Sequence, residues 1–499
     1  MRMKIFYNMT EEFQMKKRIL ALTLALLLVL LSAGIMSACG GESRGTDDDG
    51  GGKPAVDTTE ALTSAETTDY LASLPNTDLS GMELRILGVD YDTRRNFPLE
   101  SENGELVNDA LYARNRAVEE RHNVTISCTS EASDGPVNTK VKASVSAGDD
   151  AYDIIISTIS GSMADLGTGK CLYNLLDVPY IALEEGWWSR EFAANLTLGG
   201  KLYYTLSDFA PMKFYAPYVM CFNSKLAADR NLGDIYGMVI DGKWTNDVLS
   251  KMTKDVAYDL DGDGEMTSAD FWAYAHVKTA ITTYAHYTGS GMQLNTLDGG
   301  LPVVELDTDK SVKVIEAISQ YLGSDCIAYK DMAETYNMFV EGRALFFGNS
   351  TSNVIAYFRS MEDDFGIIPV PKYDESQEKY YSYINTWVRG GVGVPATCTK
   401  IEEVGLLLEV LSYMSYGEVR DALFETTMKQ KVARDDTAGV ILDMVFDNSY
   451  IDLNGVYDFG GSASTIYKAV MEGAEFMSGY AAAKDKISAA VDKLIEQMS

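Results

Sequence analysis

Met82-Glu83-Leu84-Arg85-Ile86-Leu87-Gly88-Val89 and Asp153-Ile154-Ile155-Ile156 are the two stretches that decide the fold. The first reads as a short strand running into a polar loop, Asp90 to Arg95. The second is a β-branched run of the kind buried on both faces of a parallel sheet. Between them, residues 108 to 120 place Ala110, Ala113 or Arg114, and Ala117 at helical spacing, and Val124-Thr125-Ile126-Ser127 alternates as a further strand. Strand, helix, strand, helix, strand is a doubly wound α/β unit. Open sheets of this type gather ligands beyond the carboxyl ends of their strands. Here those ends carry the loops Asp90 to Arg95 and Ser157 to Ser162.

Further along, apolar positions three and four apart predict helices over 246 to 258, 268 to 278 and 309 to 322. Residues 343 to 348 read as a buried strand, followed by Phe365 to Pro371 and by Trp387 to Val394 with Gly390, Gly391 and Gly393. After Pro395 the pattern is helical: 402 to 416, 417 to 429, 464 to 477 and 481 to 498. No internal repeat is visible.

Upstream of the first strand, Lys16, Lys17 and Arg18 lead into a Leu-rich run, Ile19 to Ile35, and then into small residues ending at Met36-Ser37-Ala38-Cys39. That order of charge, apolar core and small residues is a secretory signal over 1 to 38, with Met15 as an alternative start. The apolar run is shorter than the ~20 residues a spanning helix prefers. Its end resembles the lipobox of bacterial lipoproteins. The resemblance implies cleavage before Cys39, acyl chains on that residue, and a protein held on the extracellular face of the cell membrane by its lipid anchor alone. Residues 39 to 78 are rich in Gly, Asp, Thr and Ala and cannot bury enough apolar surface to offset the entropy of ordering, so a flexible tether is expected there.

With 42 Lys and Arg against 73 Asp and Glu, the net charge of −31 excludes the basic footprint that nucleic acid needs, and excludes adhesion to anionic lipid. Cys128, Cys171, Cys221, Cys326 and Cys398 show no CxxC spacing, so neither zinc nor a dense disulfide framework is indicated. The three histidines, His122, His276 and His286, leave little for a metal centre or a catalytic triad. GxSxG, HExxH and P-loop motifs are absent. Acidic residues are too abundant for their pairing to be diagnostic.

The lipobox, the strand over 83 to 89, Tyr152-Asp153-Ile154-Ile155, Val219 to Leu226, Phe339-Val340-Glu341-Gly342-Arg343-Ala344-Leu345 and Asp364 to Pro371 together resemble the extracellular solute-binding lipoproteins of carbohydrate ABC importers. The resemblance implies a two-lobed α/β fold of the periplasmic-binding-protein type, with a hinge, an interlobe cleft and a helix-rich second lobe. It implies an N-lobe of 79 to 216 plus 388 to 425, and a C-lobe of 217 to 387 plus 426 to 499. A monomer would close its lobes on a sugar or oligosaccharide and deliver it to the permease subunits of the importer, without catalysis.

Asp259-Leu260-Asp261-Gly262-Asp263-Gly264-Glu265-Met266-Thr267-Ser268-Ala269-Asp270 matches an EF-hand loop. Asp259, Asp261 and Asp263 stand at ligand positions 1, 3 and 5, Gly264 at the sharp turn, and Glu265 at the position that ligates through its carbonyl. Asp270 replaces the usual Glu at position 12, as in dockerin loops. A single loop of this type predicts one structural Ca²⁺.

Sugars present apolar C–H faces and many hydroxyls, so their sites combine flat aromatic rings with polar groups. The expected cleft edges supply Tyr91, Ser160, Ser162, Tyr215, Trp387 and Arg389, and the second lobe Tyr284, Tyr287 and Asn349. Trp187-Trp188 and Tyr203-Tyr204 are alternatives to core packing. Two other readings remain open at this level. A peptide or other non-sugar solute would need a charged clamp, which Arg94, Arg95 or Arg389 could supply. A surface glycoside hydrolase would need two facing carboxylates.

Overall fold

The computed structural model describes residues 70–90, 97, 101–324, 327–358, 361–387, 389–423 and 436–498. The signal and lipidation readings, including Cys39, and the candidate Tyr91 lie outside the described residues.

The first lobe is built on β1 (Met82–Val89), β2 (Val124–Glu131), β3 (Ile154–Thr158), β4 (Thr205–Leu206) and a late strand, β13 (Arg389–Gly393), in the order β2-β1-β3-β13-β4. β1 runs parallel to β2 and β3, and β13 runs antiparallel to β3 and β4. Ile154, Ile155 and Ile156 are fully buried, as a strand covered by helices on both faces requires. The helix Leu106–His122 links β1 to β2, and Asp134–Ala147 links β2 to β3.

The second lobe is built on β5 (Tyr218–Asn223), β6 (Trp272–Val277), β9 (Ile327–Lys330), β10 (Ala344–Ser350) and β11 (Phe365–Ile368), in the order β11-β5-β10-β6-β9. Two small pairings complete the described strands. β7 (Thr296–Asp298) forms a hairpin with β8 (Leu301–Val303), and β12 (Ser382–Tyr383) runs parallel to β14 (Ser449–Tyr450). Helices Ala280–Gly289, Asp309–Leu322, Ser462–Glu472 and Phe476–Met498 pack around this lobe.

Two expectations are corrected. Residues 268 to 278, read as helical, contain β6: the Trp-Ala-Tyr-Ala-His-Val run pairs in parallel with both β10 and β9. The flexible tether does not extend to residue 78. The Tyr70 hydroxyl donates to Glu409, its ring packs edge-on against Trp187, and the His122 ring bonds the Thr77 carbonyl. Three apolar side chains, Tyr70, Leu71 and Leu74, supply the burial that composition averaged over the whole segment concealed.

The chain passes from the first sheet to the second between Leu206 and Tyr218 and returns between Tyr383 and Arg389. The two crossings touch: Pro217 bridges Ile384 antiparallel, and the Asn385 amide donates to the Ala216 carbonyl at 2.9 Å. Two short adjacent strands between two sheets are a hinge.

Candidate functional site

The site is assembled where the crossings meet the carboxyl ends of β3 and β10. β3 ends at Thr158, and its continuation anchors to the return crossing through the Ser160 amide, which donates to the Thr386 carbonyl at 3.2 Å. Trp387 then lies against Gly161: a methyl group placed there would come within 3.4 Å of the indole. The ring is 64% exposed, which is unusual for the largest apolar side chain in a position so fixed by its neighbours. Asn385 holds that geometry. Its Oδ1 accepts from the Trp387 amide at 3.1 Å, and its Nδ2 donates to Ser350 Oγ, at the end of β10, at 2.9 Å.

On the second-lobe side, Asn349 Oδ1 accepts from the Ser350 amide and from Asn353 Nδ2, at 2.7 and 2.9 Å. Asn349 Nδ2 donates to the Tyr336 hydroxyl at 3.4 Å, and Tyr336 stacks on the half-exposed ring of Tyr357 at 4.2 Å and 19°. Thr351 ties this corner to the first crossing by donating from Oγ1 to the Phe214 carbonyl. Tyr215 ends the 3-10 turn of that crossing, partly buried.

Ser160, Trp387, Asn349 and Tyr215 therefore gather around the hinge. Arg389 enters it by its backbone, paired with Thr158. Three other candidates lie inside the lobes. Ser162 is fully buried and donates to Asn138 Oδ1. Tyr287 is fully buried and shares a 2.7 Å hydrogen bond with Ser311. Tyr284 is buried edge-on to Tyr383, 6.0 Å away. The alternatives Trp187 and Trp188 are also interior, donating through Nε1 to Glu409. Sequence reasoning missed Tyr336, Tyr357, Asn353 and Asn385. The usable signal was the cluster Asn349-Ser350-Thr351-Ser352-Asn353 closing a strand of pure apolar character.

The loop over 259 to 270 is pinched at its base by mutual backbone hydrogen bonds between Tyr258 and Phe271, whose rings stack at 5.0 Å. Gly262 and Gly264 have φ of +78° and +86°, so the turn needs residues without a Cβ there. Each of Asp259, Asp261 and Asp263 brings a carboxylate oxygen within 4.8 Å of the others. An all-oxygen set on this alternation fits a hard cation. Glu265 is exposed beside them. Asp270 is committed elsewhere: its carboxylate accepts from the Leu260 and Thr267 amides, which hold its pKa below the usual range, and it stands outside the cluster of three.

Two lobes joined by paired crossings, with polar groups and an exposed indole at the junction, define a hinged binding protein. The family of bacterial extracellular solute-binding proteins matches residues 114–411, and the chain belongs to that family. No curated protein matches the chain. Among solved structures, a cyclo/maltodextrin-binding protein complexed with maltotetraose is similar at 14% identity and a TM-score of 0.56, covering 84% of this chain and 97% of that one. The maltose/maltodextrin-binding domain MalE from Bdellovibrio bacteriovorus, bound to maltotriose, aligns at 14% identity and a TM-score of 0.48, over 83% of this chain and all of that one. At these identities the first likeness is one of fold. Among the described residues no helix is long and apolar enough to cross a membrane.

Proposed function

We propose that the protein is the lipid-anchored, extracellular binding component of an ABC importer and captures a neutral sugar or oligosaccharide by closing its lobes at the hinge. The observation that carries this reading is Trp387, an exposed flat ring at the junction, whose backbone is tied by Asn385 to Ser350 and so to the polar corner of Asn349 and Asn353. Stacking of a sugar's C–H face on an indole, with hydrogen bonds from uncharged groups around it, requires that combination. One solved structure of this fold is complexed with maltotetraose, which makes glucose polymers the first ligands to try. The ligand leaves unchanged and passes to the permease subunits, and the binding protein acts as a monomer.

The test is thermal unfolding of residues 70–499 against a panel of glycans, peptides and polyamines. A shift confined to one glycan family supports the reading. A shift from peptides alone, or none at all, defeats it.

The same protein carries the proposed Ca²⁺ on Asp259, Asp261, Asp263 and the Glu265 carbonyl, as a clip closing a long surface loop. Calcium should raise the unfolding midpoint of the wild type but not of Asp261→Asn. An equal response in both would remove the metal from the loop.

A further inference from the structure

β3 closes on Thr158, and the chain passes at once into a single π-helical turn, Ile159–Met163. Such turns are rare and frequently mark functional sites. The neighbouring strand is irregular at the same level. β13 pairs Arg389 with Thr158 and then slips at Gly390, whose φ of +138° favours a residue without a Cβ. A bulge of this kind re-aims the side chains beside it. The hydroxyls around the end of β3 meet different fates. Ser157 Oγ donates to Asp134 Oδ1 at 2.7 Å, and Ser162 Oγ donates to Asn138 Oδ1. Thr158 is just as deep, 2% exposed, yet its hydroxyl has no hydrogen-bond partner among the described residues. Nor does it cap the turn that it opens.

A buried hydroxyl left without a partner costs free energy, and native chains keep few of them. This one adjoins the proposed sugar platform. A Cβ built on Gly161 would lie 3.0 Å from Thr158 Oγ1 and 3.4 Å from the Trp387 indole. Hydroxyl and ring therefore flank one gap, which stays open because residue 161 has no side chain. Asn385 fixes the backbone of Trp387, but among the described residues no hydrogen bond holds the indole itself, and the ring is largely exposed. Exposed side chains change rotamer within nanoseconds.

We propose that Thr158 selects a hydroxyl of the bound solute: the indole turns off Gly161 onto an apolar C–H face, and the adjoining solute hydroxyl enters the gap and pairs with Thr158 Oγ1. The inference rests on the sugar reading above and narrows it to solutes that carry a free hydroxyl beside the face that stacks. A site that pairs a buried polar group with one ligand hydroxyl rejects the analogue lacking it, because the protein group is then stranded. Gly161 is what admits that hydroxyl, since a side chain there would fill the gap.

The experiment combines thermal unfolding and titration calorimetry of the full mature chain with tetrasaccharides of glucose, xylose, mannose and galactose and with monodeoxy derivatives of each. Thr158→Val should leave the unfolding midpoint of the empty protein at or above that of the wild type, because the hydroxyl it removes has no partner there. The same variant should bind the preferred tetrasaccharide about tenfold more weakly or worse, whereas Thr158→Ser, which keeps the hydroxyl, should stay within about threefold of the wild type. One monodeoxy derivative should bind the wild type and Thr158→Val equally, an equality that a mere packing defect does not produce and that identifies the hydroxyl being read. Acrylamide quenching of the exposed indole should fall when the tetrasaccharide binds. The inference alone is overturned if the wild type and Thr158→Val bind the tetrasaccharide alike, if the empty Thr158→Val protein melts well below the wild type, or if binding leaves the quenching unchanged. A wild type that binds none of the four tetrasaccharides overturns it together with the sugar reading, so the two failures are told apart.

Discussion

In the first lobe, Glu409 is a fully buried carboxylate that accepts from Trp187 Nε1 and Trp188 Nε1 at 2.8 Å each, from the Ala182 amide and from the Tyr70 hydroxyl. Nearby, buried Arg114 donates to the Phe209 carbonyl, Asn115 and Ser415, and buried Asp153 takes Arg85 and Lys400. Among the described residues, most polar groups at comparable depth behind the second sheet are neutral. His286 accepts and donates between the hydroxyls of Tyr274 and Tyr321, at 2.9 and 2.7 Å, and the Tyr218 hydroxyl donates to Thr282. Asp452, Asp270 and Lys372 are exceptions, and Asp452 is a buried carboxylate taking the Leu294, Asn295 and Gly455 amides. The difference sets what each lobe cannot tolerate. A charged hub fails when it is removed and its donors are stranded. A neutral network fails when it is crowded or protonated.

The largest expected effect is therefore in the first lobe. Glu409→Ala leaves two indole N–H groups, a backbone amide and a phenol without their acceptor, at a cost of about 4 kcal/mol in total. Urea unfolding measures it, and a loss below about 1 kcal/mol would erase the contrast.

Next comes crowding of the second lobe. A Cβ on Gly348 would lie 2.1 Å from the Tyr274 hydroxyl and 2.7 Å from that of Tyr218, both on rigid rings. Gly348→Ala should cost about 2 to 3 kcal/mol, in the range for overpacked cores, and should displace Tyr274 from His286. Unfolding free energy and tyrosine ring mobility by NMR check both halves.

Acid should act on the same network. Burial pushes the His286 pKa down to about 3 and that of His276 to about 4, from roughly 6.5 in an unfolded chain. Between those values the unfolded chain binds protons that the folded one refuses. Stability is thus complete above about pH 6.5 and falls as the pH drops toward 4, by at most about 1.4 kcal/mol per pH unit for each histidine. His122, in the first lobe, is also lowered by burial, so variants must separate the contributions. His286→Gln should flatten the slope between pH 6.5 and 5, and an unchanged slope would take the second lobe out of the acid response.

Much of the fold was legible wherever one physical signal dominated. Ile154 to Ile156 could only be a buried strand, and Asp309–Leu322 carries a strong apolar stripe with a Thr308 cap. β6 was not legible, because Phe271, Tyr274, Ala275 and Lys278 happen to fall at helical intervals, and only pairing with β9 and β10 decides between the two periods. The site was half legible for a related reason. Position relative to strand ends located Ser160, Trp387 and Asn349, since topology fixes it. Which face of a helix is covered does not follow from position, and so Tyr284 and Tyr287 in Ala280–Gly289 could not be told from Tyr357 in Thr351–Tyr357.

The smallest stability effect is expected at the junction, which belongs to neither lobe. Trp387 packs against Gly161, but the return crossing is held by the Ser160 to Thr386 backbone bond and by Asn385, neither of which needs the indole. Trp387→Ala should change unfolding free energy by less than about 0.5 kcal/mol, as surface substitutions do. If the ring is the platform for the ligand, the same variant should lose most of the stabilisation that a saturating glycan confers, about 2.7 kcal/mol at a hundredfold excess over the dissociation constant. A residue that moves ligand-induced stability while leaving intrinsic stability alone is one kept for contact with solute. Should Trp387→Ala instead destabilise the empty protein as Gly348→Ala does, the indole would count as part of the packed hinge, and the sugar platform would have to be sought at Tyr357.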